Sequence, residues 1–240
     1  MGALSVDAFA NYLPTTDDSH AGFMPMIFDH AACTIPSITA AAAYGTILAF
    51  NEPDQSAPQA NMTVAQAISD WAIIVANKGS ARLGSPVCAS NMSTPGLWFD
   101  QFMSDPSAPN PDFIAMHRYT SNFAAPVTAA TTIITEAAAN YARWRRPVKI
   151  TEFGMIGFTG PDPATWTYPT EAQAIAFIQE IIPRFRNCPW LETFIWYPTT
   201  VNAAAIAQNA GVLNVLLCDN ITGALTNVGR AYRDAIQIRR

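Results

Sequence analysis

The chain has 240 residues, half of them hydrophobic and 13% charged, with a net charge of −5. That is enough apolar material for one large domain and too little basic surface for a nucleic-acid binder. The densest basic stretch, Arg143-Trp144-Arg145-Arg146, reads as a helix C-terminus, where cations suit the dipole.

Strand and helix signals alternate along the chain. Strands are expected at Leu4–Asn11, Gly22–Phe28 and Thr46–Asn51. Thr63-Val64-Ala65-Gln66 is a capping box that opens a helix running to Lys78, where Gly79 stops it. Val64, Ala67, Ile68, Trp71 and Val75 follow the helical period and mark its apolar face. Strands follow at Arg82–Pro86 and Asp112–His117, a helix at Ala129–Trp144, and a strand at Pro147–Glu152. Then come a helix at Thr170–Arg186 and a strand at Glu192–Tyr197. The apolar run Val212–Cys218 reads as a strand or a buried loop, and Thr226 caps a last helix through Ile236. Such alternation implies a largely parallel sheet, and at this length an α/β chain closes naturally as a compact (β/α)8 TIM-type barrel. No Pro/Gly/Ser-rich linker divides the chain, so residues 1–240 read as one catalytic barrel domain.

Several chemistries drop out. The four cysteines, Cys33, Cys88, Cys188 and Cys218, lack zinc-ligand spacing and read as buried free thiols, which leaves the redox compartment open. His20, His30 and His117 are too scattered for a metal site. There is no Gly-x-Ser-x-Gly elbow and no phosphate-binding Gly-rich loop. No metal or cofactor is expected. The Ile35–Phe50 segment is apolar but interrupted, and short of a membrane span. The start lacks a basic region followed by a long apolar one. Met1-Gly2 reads as the remnant of a trimmed start, and on that reading the protein is secreted or extracellular. Three Asn-x-Ser/Thr triplets, at Asn61, Asn91 and Asn220, read as chance or local capping.

Two apolar runs stop at a glutamate. They are Ile47-Leu48-Ala49-Phe50-Asn51-Glu52-Pro53 and Pro147-Val148-Lys149-Ile150-Thr151-Glu152-Phe153-Gly154. A carboxylate just past a buried parallel strand sits where α/β folds keep their chemistry. Two such groups suit cleavage of a glycosidic bond, through an oxocarbenium-like state. One protonates the leaving oxygen, and the other attacks the anomeric carbon or activates water there. One of the pair must hold a proton, which a charged neighbour favours because close negative charges repel. A retaining site requires a separation of about 5–5.5 Å. Asn51 offers an amide for a sugar hydroxyl, and Pro53 is expected to turn the chain away from the strand.

These residues carry a resemblance. Leu48-Ala49-Phe50-Asn51-Glu52-Pro53-Asp54, followed by Gln59-Ala60-Asn61-Met62-Thr63, resembles the acid/base segment of glycoside hydrolase family 128. That family is also described as the Asl1-like glycosyl hydrolase catalytic core. Ile150-Thr151-Glu152-Phe153-Gly154 resembles its nucleophile segment. Phe23-Met24-Pro25-Met26, Leu83-Gly84-Ser85-Pro86, Asp112-Phe113-Ile114-Ala115-Met116-His117 and Gly223-Ala224-Leu225-Thr226-Asn227-Val228-Gly229 match in the same order. The resemblance implies a (β/α)8 barrel and retaining hydrolysis of β-1,3-glucan. Endo action by a monomer is the expectation that follows. The resemblance makes Glu52 the acid/base, Glu152 the nucleophile and Asn51 the partner of the 2-hydroxyl. It also implies a tyrosine holding the nucleophile ionised, a part that Tyr119 fits.

The chain departs from the family in three places. The family's first strand is missing or atypical, since Leu4–Asn11 matches its second. His117-Arg118-Tyr119 replaces a His-Trp-Tyr, and Ala10-Asn11-Tyr12 replaces a Tyr-Asn-Trp. Subsite shape is expected to change there, with Asn11 and His117 as remaining hydroxyl partners. Trp196, at the end of the last strong strand, is expected to stack on a sugar ring, and Trp98, Trp166 and Tyr168 to form outer subsites. Trp71 and Trp144 read as packing residues. Gly154, Gly157 and Gly160 suggest a flexible loop after the nucleophile. A glucan-binding barrel with weak or no turnover, or an exo-acting enzyme, are the alternatives.

Overall fold

Strands form where apolar runs end against turn residues, and most begin or end within two residues of the expected position. The computed structural model describes residues 9–15, 22–107 and 109–237. These fall into two compact units. One comprises the described residues up to His117 together with Glu136–Thr151, and the other Arg118–Thr135 and the described residues from Glu152 onward.

In the first unit, β1 (Phe9–Ala10) pairs in parallel with β2 (Phe23–Met24). The rest of the expected first strand, residues 4–8, lies outside the described residues. The single strand expected at Gly22–Phe28 is instead two pieces, because Pro25 separates β2 from β3 (Met26–Ile27). Proline has no N–H to give to a ladder; its carbonyl still accepts from Leu48 N at 2.8 Å. Next to β3 lie β4 (Thr46–Asn51) and β5 (Arg82–Val87), all parallel, in the order β3-β4-β5. Ile47, Leu48, Ala49 and Phe50 are all fully buried, so β4 is covered on both faces, as its uninterrupted apolar run requires. β5 meets β6 (Ile114–Thr120) through a parallel bridge between Gly84 and Phe113. A side chain on Gly84 would start 2.5 Å from the Phe113 ring.

Among the described residues, three helices lie wholly within this unit: α1 (Ile35–Ala42), α2 (Val64–Asn77) and α3 (Trp98–Met103). Only α2 was expected. Thr63 caps it by accepting from Gln66 N. Its buried face is Ala67, Asp70, Trp71 and Ile74, whereas Val75 is 48% exposed. The apolar stripe is thus rotated by one residue, and the buried acid Asp70 belongs to it, bonded to His30 Nδ1 at 2.8 Å. Ile27, Ile38, Phe50, Trp71, Ile74 and Phe102 form the heart of the core, each contributing about 1.5–3 kcal/mol by burial.

In the second unit, β8 (Leu191–Trp196), α5 (Glu171–Phe185) and α7 (Asn227–Gln237) carry the packing. The full reciprocal capping box is at Thr170 and Gln173. Thr226 caps α7 as expected, its Oγ1 accepting from Gly229 N at 2.9 Å. The Val212–Cys218 run is no strand, and its Leu216 and Leu217 are buried as the loop alternative has it. A 3-10 turn, Ala210–Val215, leads into a buried extended piece at Leu216–Leu217. A short helix α6 (Ala203–Gln208) precedes it. β6, β7 (Val148–Met155) and α4 (Pro126–Trp144) contribute residues to both units, and the third sheet has the order β6-β7-β8. The fold is α/β with parallel sheets.

Arg145, just after α4, has φ +54°. This left-handed conformation stops the helix and is unfavourable for any residue with a Cβ. Arg145 is exposed, so Arg145→Gly is expected to raise stability by about 1 kcal/mol, or roughly 2–4 °C in Tm. A thermal melt that shows a lower Tm would contradict the assignment of strain there.

Candidate active site

Glu52 stands where β4 ends, and its backbone is the strained point of the segment, with φ +45°. A non-glycine residue in this region costs about 1–3 kcal/mol and persists only when its surroundings hold it. Here Glu52 N donates to Val87 O at 2.7 Å, and Glu52 O accepts from Gln55 N at 3.0 Å. Ala60 N donates to Asn51 O, and Met62 N to Pro53 O, both at 2.9 Å. The chain therefore turns at Glu52 itself, one residue before the expected Pro53.

The Glu52 side chain is half-buried, and its Oε1 lies 3.1 Å from His117 Nδ1. His117, on β6, is 5% exposed, so its place is beside the carboxyl group rather than at the protein surface. The pair stays bonded in either protonation state: an Nδ1–H donates to a carboxylate, and a bare Nδ1 accepts from a carboxylic acid. Asn51 is 3% exposed. Its Nδ2 donates to Gln59 Oε1 at 2.6 Å, and its Oδ1 is buried without a hydrogen-bond partner. An unmet buried acceptor costs about 1–3 kcal/mol, and a hydroxyl donor would remove that cost. Asp54 fastens the loop after β5 by accepting from Ala89 N at 3.0 Å and Ser90 N at 2.9 Å. Burial, then Asp54 and Glu52, pushes the adjacent Cys88 thiol well above its ordinary range. Asn11 is half-buried and uses its Oδ1 in a local turn, accepting from Leu13 N at 2.9 Å.

Glu152 lies on β7 within the other unit, and Tyr119 OH donates to its Oε2. A hydroxyl donor of this kind suits an oxygen that carries charge. Around Tyr119 stand Phe158, at 5.0 Å between ring centroids and 90°, and Tyr197, at 6.0 Å and 81°. Trp166 is edge-on to Phe158 at 4.7 Å. Tyr168 is close enough to Tyr197 that burial and that neighbour both raise its phenol above the usual value.

Several expectations are corrected. Trp196 is not a surface platform. It is 2% exposed, packs against Phe153 at 5.3 Å, and donates Nε1–H to Val215 O at 2.8 Å. Phe177 and Tyr232 also lie against the ring, and its only donor is used inside the protein. Trp98 stacks on Phe102 at 5.5 Å and donates to Met62 O at 2.8 Å, so it seals the core rather than forming an outer subsite. Of the three glycines after Glu152, Gly154 and Gly157 serve close approach, whereas Gly160 has open space around it. A Cβ on Gly154 would lie 2.6 Å from Tyr197 O, and one on Gly157 would lie 2.3 Å from Thr167 Oγ1. All four cysteines are free, but only Cys88 is fully buried. Burial, aided by Asp70, pushes Cys33 up to about 12. Gln59, Phe158 and Tyr197 carry contacts to these groups that no spacing in the sequence indicated.

Among the described residues, no group of three or more His, Cys, Asp or Glu is placed to hold a metal ion, and no helix is long and apolar enough to cross a membrane.

No curated protein matches the chain. Among solved structures it is similar to a family 128 subgroup I endo-β-1,3-glucanase from Amycolatopsis mediterranei, in complex with laminaritriose. Identity is 30% over 97% of this chain and 91% of that one, with a TM-score of 0.82. A subgroup VII oligosaccharide-binding protein from Trichoderma gamsii is 19% identical over 96% of this chain and 87% of that one, with a TM-score of 0.70. A subgroup V exo-β-1,3-glucanase from Cryptococcus neoformans is 21% identical over 91% and 81%, with a TM-score of 0.65. The last two likenesses show the fold alone. The family model described as glycosyl hydrolase catalytic core matches residues 10–232. A match of that extent places the chain in the glycosyl hydrolase catalytic core family: it is a glycoside hydrolase of family 128.

Proposed function

We propose that the protein is a retaining endo-β-1,3-glucanase, a single (β/α)8 barrel with Glu52 as acid/base and Glu152 as nucleophile. The observation that carries this reading is the contrast between the partners of the two carboxyl groups. Glu152 receives a phenol O–H, which suits a bare attacking oxygen. Glu52 faces an imidazole nitrogen that accommodates both its states. The Amycolatopsis enzyme supports the substrate class. It was solved with each of two glutamates replaced in turn, one variant in complex with laminaripentaose and the other with laminaritriose and laminaribiose.

The chemistry then runs in two steps. Glu152 attacks the anomeric carbon while Glu52 gives its proton to the departing glycosidic oxygen. The glycosyl ester so formed is opened by water, whose proton returns to Glu52. Asn51 accepts from the 2-hydroxyl through Oδ1, the oxygen that otherwise lacks a partner. Asn11 adds a polar contact, and His117 acts on substrate through Glu52. Neither a metal nor a cofactor enters these steps.

The test is a panel of β-1,3-, β-1,4- and mixed-linkage glucans, with product sizing and proton NMR of the first anomer released. Laminarihexaose is expected to give mid-chain fragments in the β configuration. Release of the α-anomer first would overturn retention, and glucose alone from one end would overturn endo action. Saturable binding without product would replace the enzyme reading with a binding one.

A further inference from the structure

Tyr119 reaches Glu152 from the end of β6, where its own ring is only half-buried. Something must hold that ring, because a phenol free to swing would leave the carboxylate. Among its neighbours are Phe158 and Tyr197, both edge-to-face with it. Tyr197 is fixed by its backbone, its N–H donating to Phe153 O at 2.9 Å. Among the described residues Phe158 has no such backbone bond, and the loop around it holds its position.

That loop is built to hold position 158. Gly157 and Thr167 exchange both backbone hydrogen bonds, each at 2.9 Å. A Cβ on Gly157 would lie 2.3 Å from Thr167 Oγ1 and 3.2 Å from Ser121 Cβ, so any side chain there would displace its neighbours. Thr159 Oγ1 donates to Thr165 O at 2.7 Å, and Trp166 Nε1 to Gly160 O at 2.8 Å. Asn209 Nδ2 donates to Trp166 O at 2.7 Å and anchors the returning strand. Trp166, whose only side-chain donor is thus committed to the loop, buttresses Phe158 from the side. Yet Phe158 itself is 48% exposed. A ring needed for the core would be buried, so this scaffold serves something other than burial.

We infer that Phe158 is a positioning residue, whose ring keeps Tyr119 in the orientation from which its hydroxyl reaches Glu152. This role rests on the reading of Glu152 as the nucleophile. It acts entirely through Tyr119, which makes it testable by non-additivity: residues that work through one contact do not sum.

The experiment is a double-variant cycle of Phe158→Ala and Tyr119→Phe, with kcat and KM measured on laminarihexaose and Tm recorded for each protein. Phe158→Ala is expected to lower kcat by about tenfold, the scale of one aromatic contact, with KM changed less than about twofold. On the Tyr119→Phe background it is expected to have no further effect. Phe158→Tyr, which keeps the ring, is expected to recover most of the rate. The exposed position predicts a Tm close to that of the parent, and Phe158→Leu provides a second variant should alanine unfold the loop. Equal, additive losses in the two backgrounds would overturn the inference. So would a change confined to KM, which marks a sugar-stacking surface instead. Full turnover by Glu152→Gln would remove the underlying assignment of the nucleophile, a separate failure from additivity in a chain where Glu152→Gln is inactive.

Discussion

Glu152→Gln is expected to lower turnover of laminarin by roughly 10⁴-fold or more, the scale of losing an attacking group. The amide has the shape of the carboxylate, and its oxygen still accepts from Tyr119 OH. Packing around β7 therefore changes little: Phe153 and Met155 remain buried as before. What is lost is the negative charge and the lone pair that attacks carbon. Tm is expected to stay within a few degrees of the parent, because no buried apolar contact is removed. Reducing-sugar release over hours, with a melting curve on the same preparation, measures both. Residual activity within tenfold of the parent would place the nucleophile elsewhere.

Glu52→Gln is expected to cost roughly 10²–10⁴-fold on laminarin, the range for removing a general acid/base. The loss is expected to depend on the leaving group. A sugar alcohol needs the proton that Glu52 supplies, whereas an activated aryl group departs without it. Aryl laminarioside cleavage is therefore expected to show a rapid first step and slow release from Glu152, since water lacks its base. Added azide is expected to restore turnover. Its nitrogen bonds the anomeric carbon, the Glu152 carboxylate leaves, and a β-glycosyl azide results. An α-linked azide, or equal losses on natural and activated substrates with no response to azide, would contradict the acid/base role. The glutamine can keep a bond to His117 Nδ1, so the turn at φ +45° is expected to persist.

Much of the frame was legible because local chemistry determines it. β4 ends at Asn51, and α5 lies between caps Thr170 and Arg186, where the apolar runs and capping residues said. Long-range contacts were not legible. Trp196 closes a strand at a position that looked open, but its indole N–H finds Val215 O in a segment with no readable secondary structure. Pro25 divides a run whose hydrophobicity alone suggested one strand. On α2 the buried stripe includes Asp70, and no apolar pattern includes an acid whose partner, His30, lies forty residues away.

The candidate site divides in the same way. Glu52 and Glu152 stood out because each interrupts a strand-like run. Tyr119 was reached through resemblance, and its bond to Glu152 is present. Gln59 on Asn51 and Phe158 on Tyr119 depend on loop paths that spacing does not encode. Glycines 154 and 157 suggested mobility, yet their missing side chains make room for Tyr197 O and Thr167. Glycine has two structural uses, freedom and close approach, and only the neighbours distinguish them.

Trapping the covalent intermediate tests the central claim most directly. A 2-deoxy-2-fluoro-laminaribiosyl fluoride carries a good leaving group, and its fluorine slows both steps by destabilising the oxocarbenium-like state. Incubation followed by mass spectrometry of the intact chain and its peptides is expected to show one added laminaribiosyl unit, on Glu152 and no other residue. A label on another carboxylate, or an active enzyme that never accumulates a labelled chain and releases inverted product, would contradict the assignment.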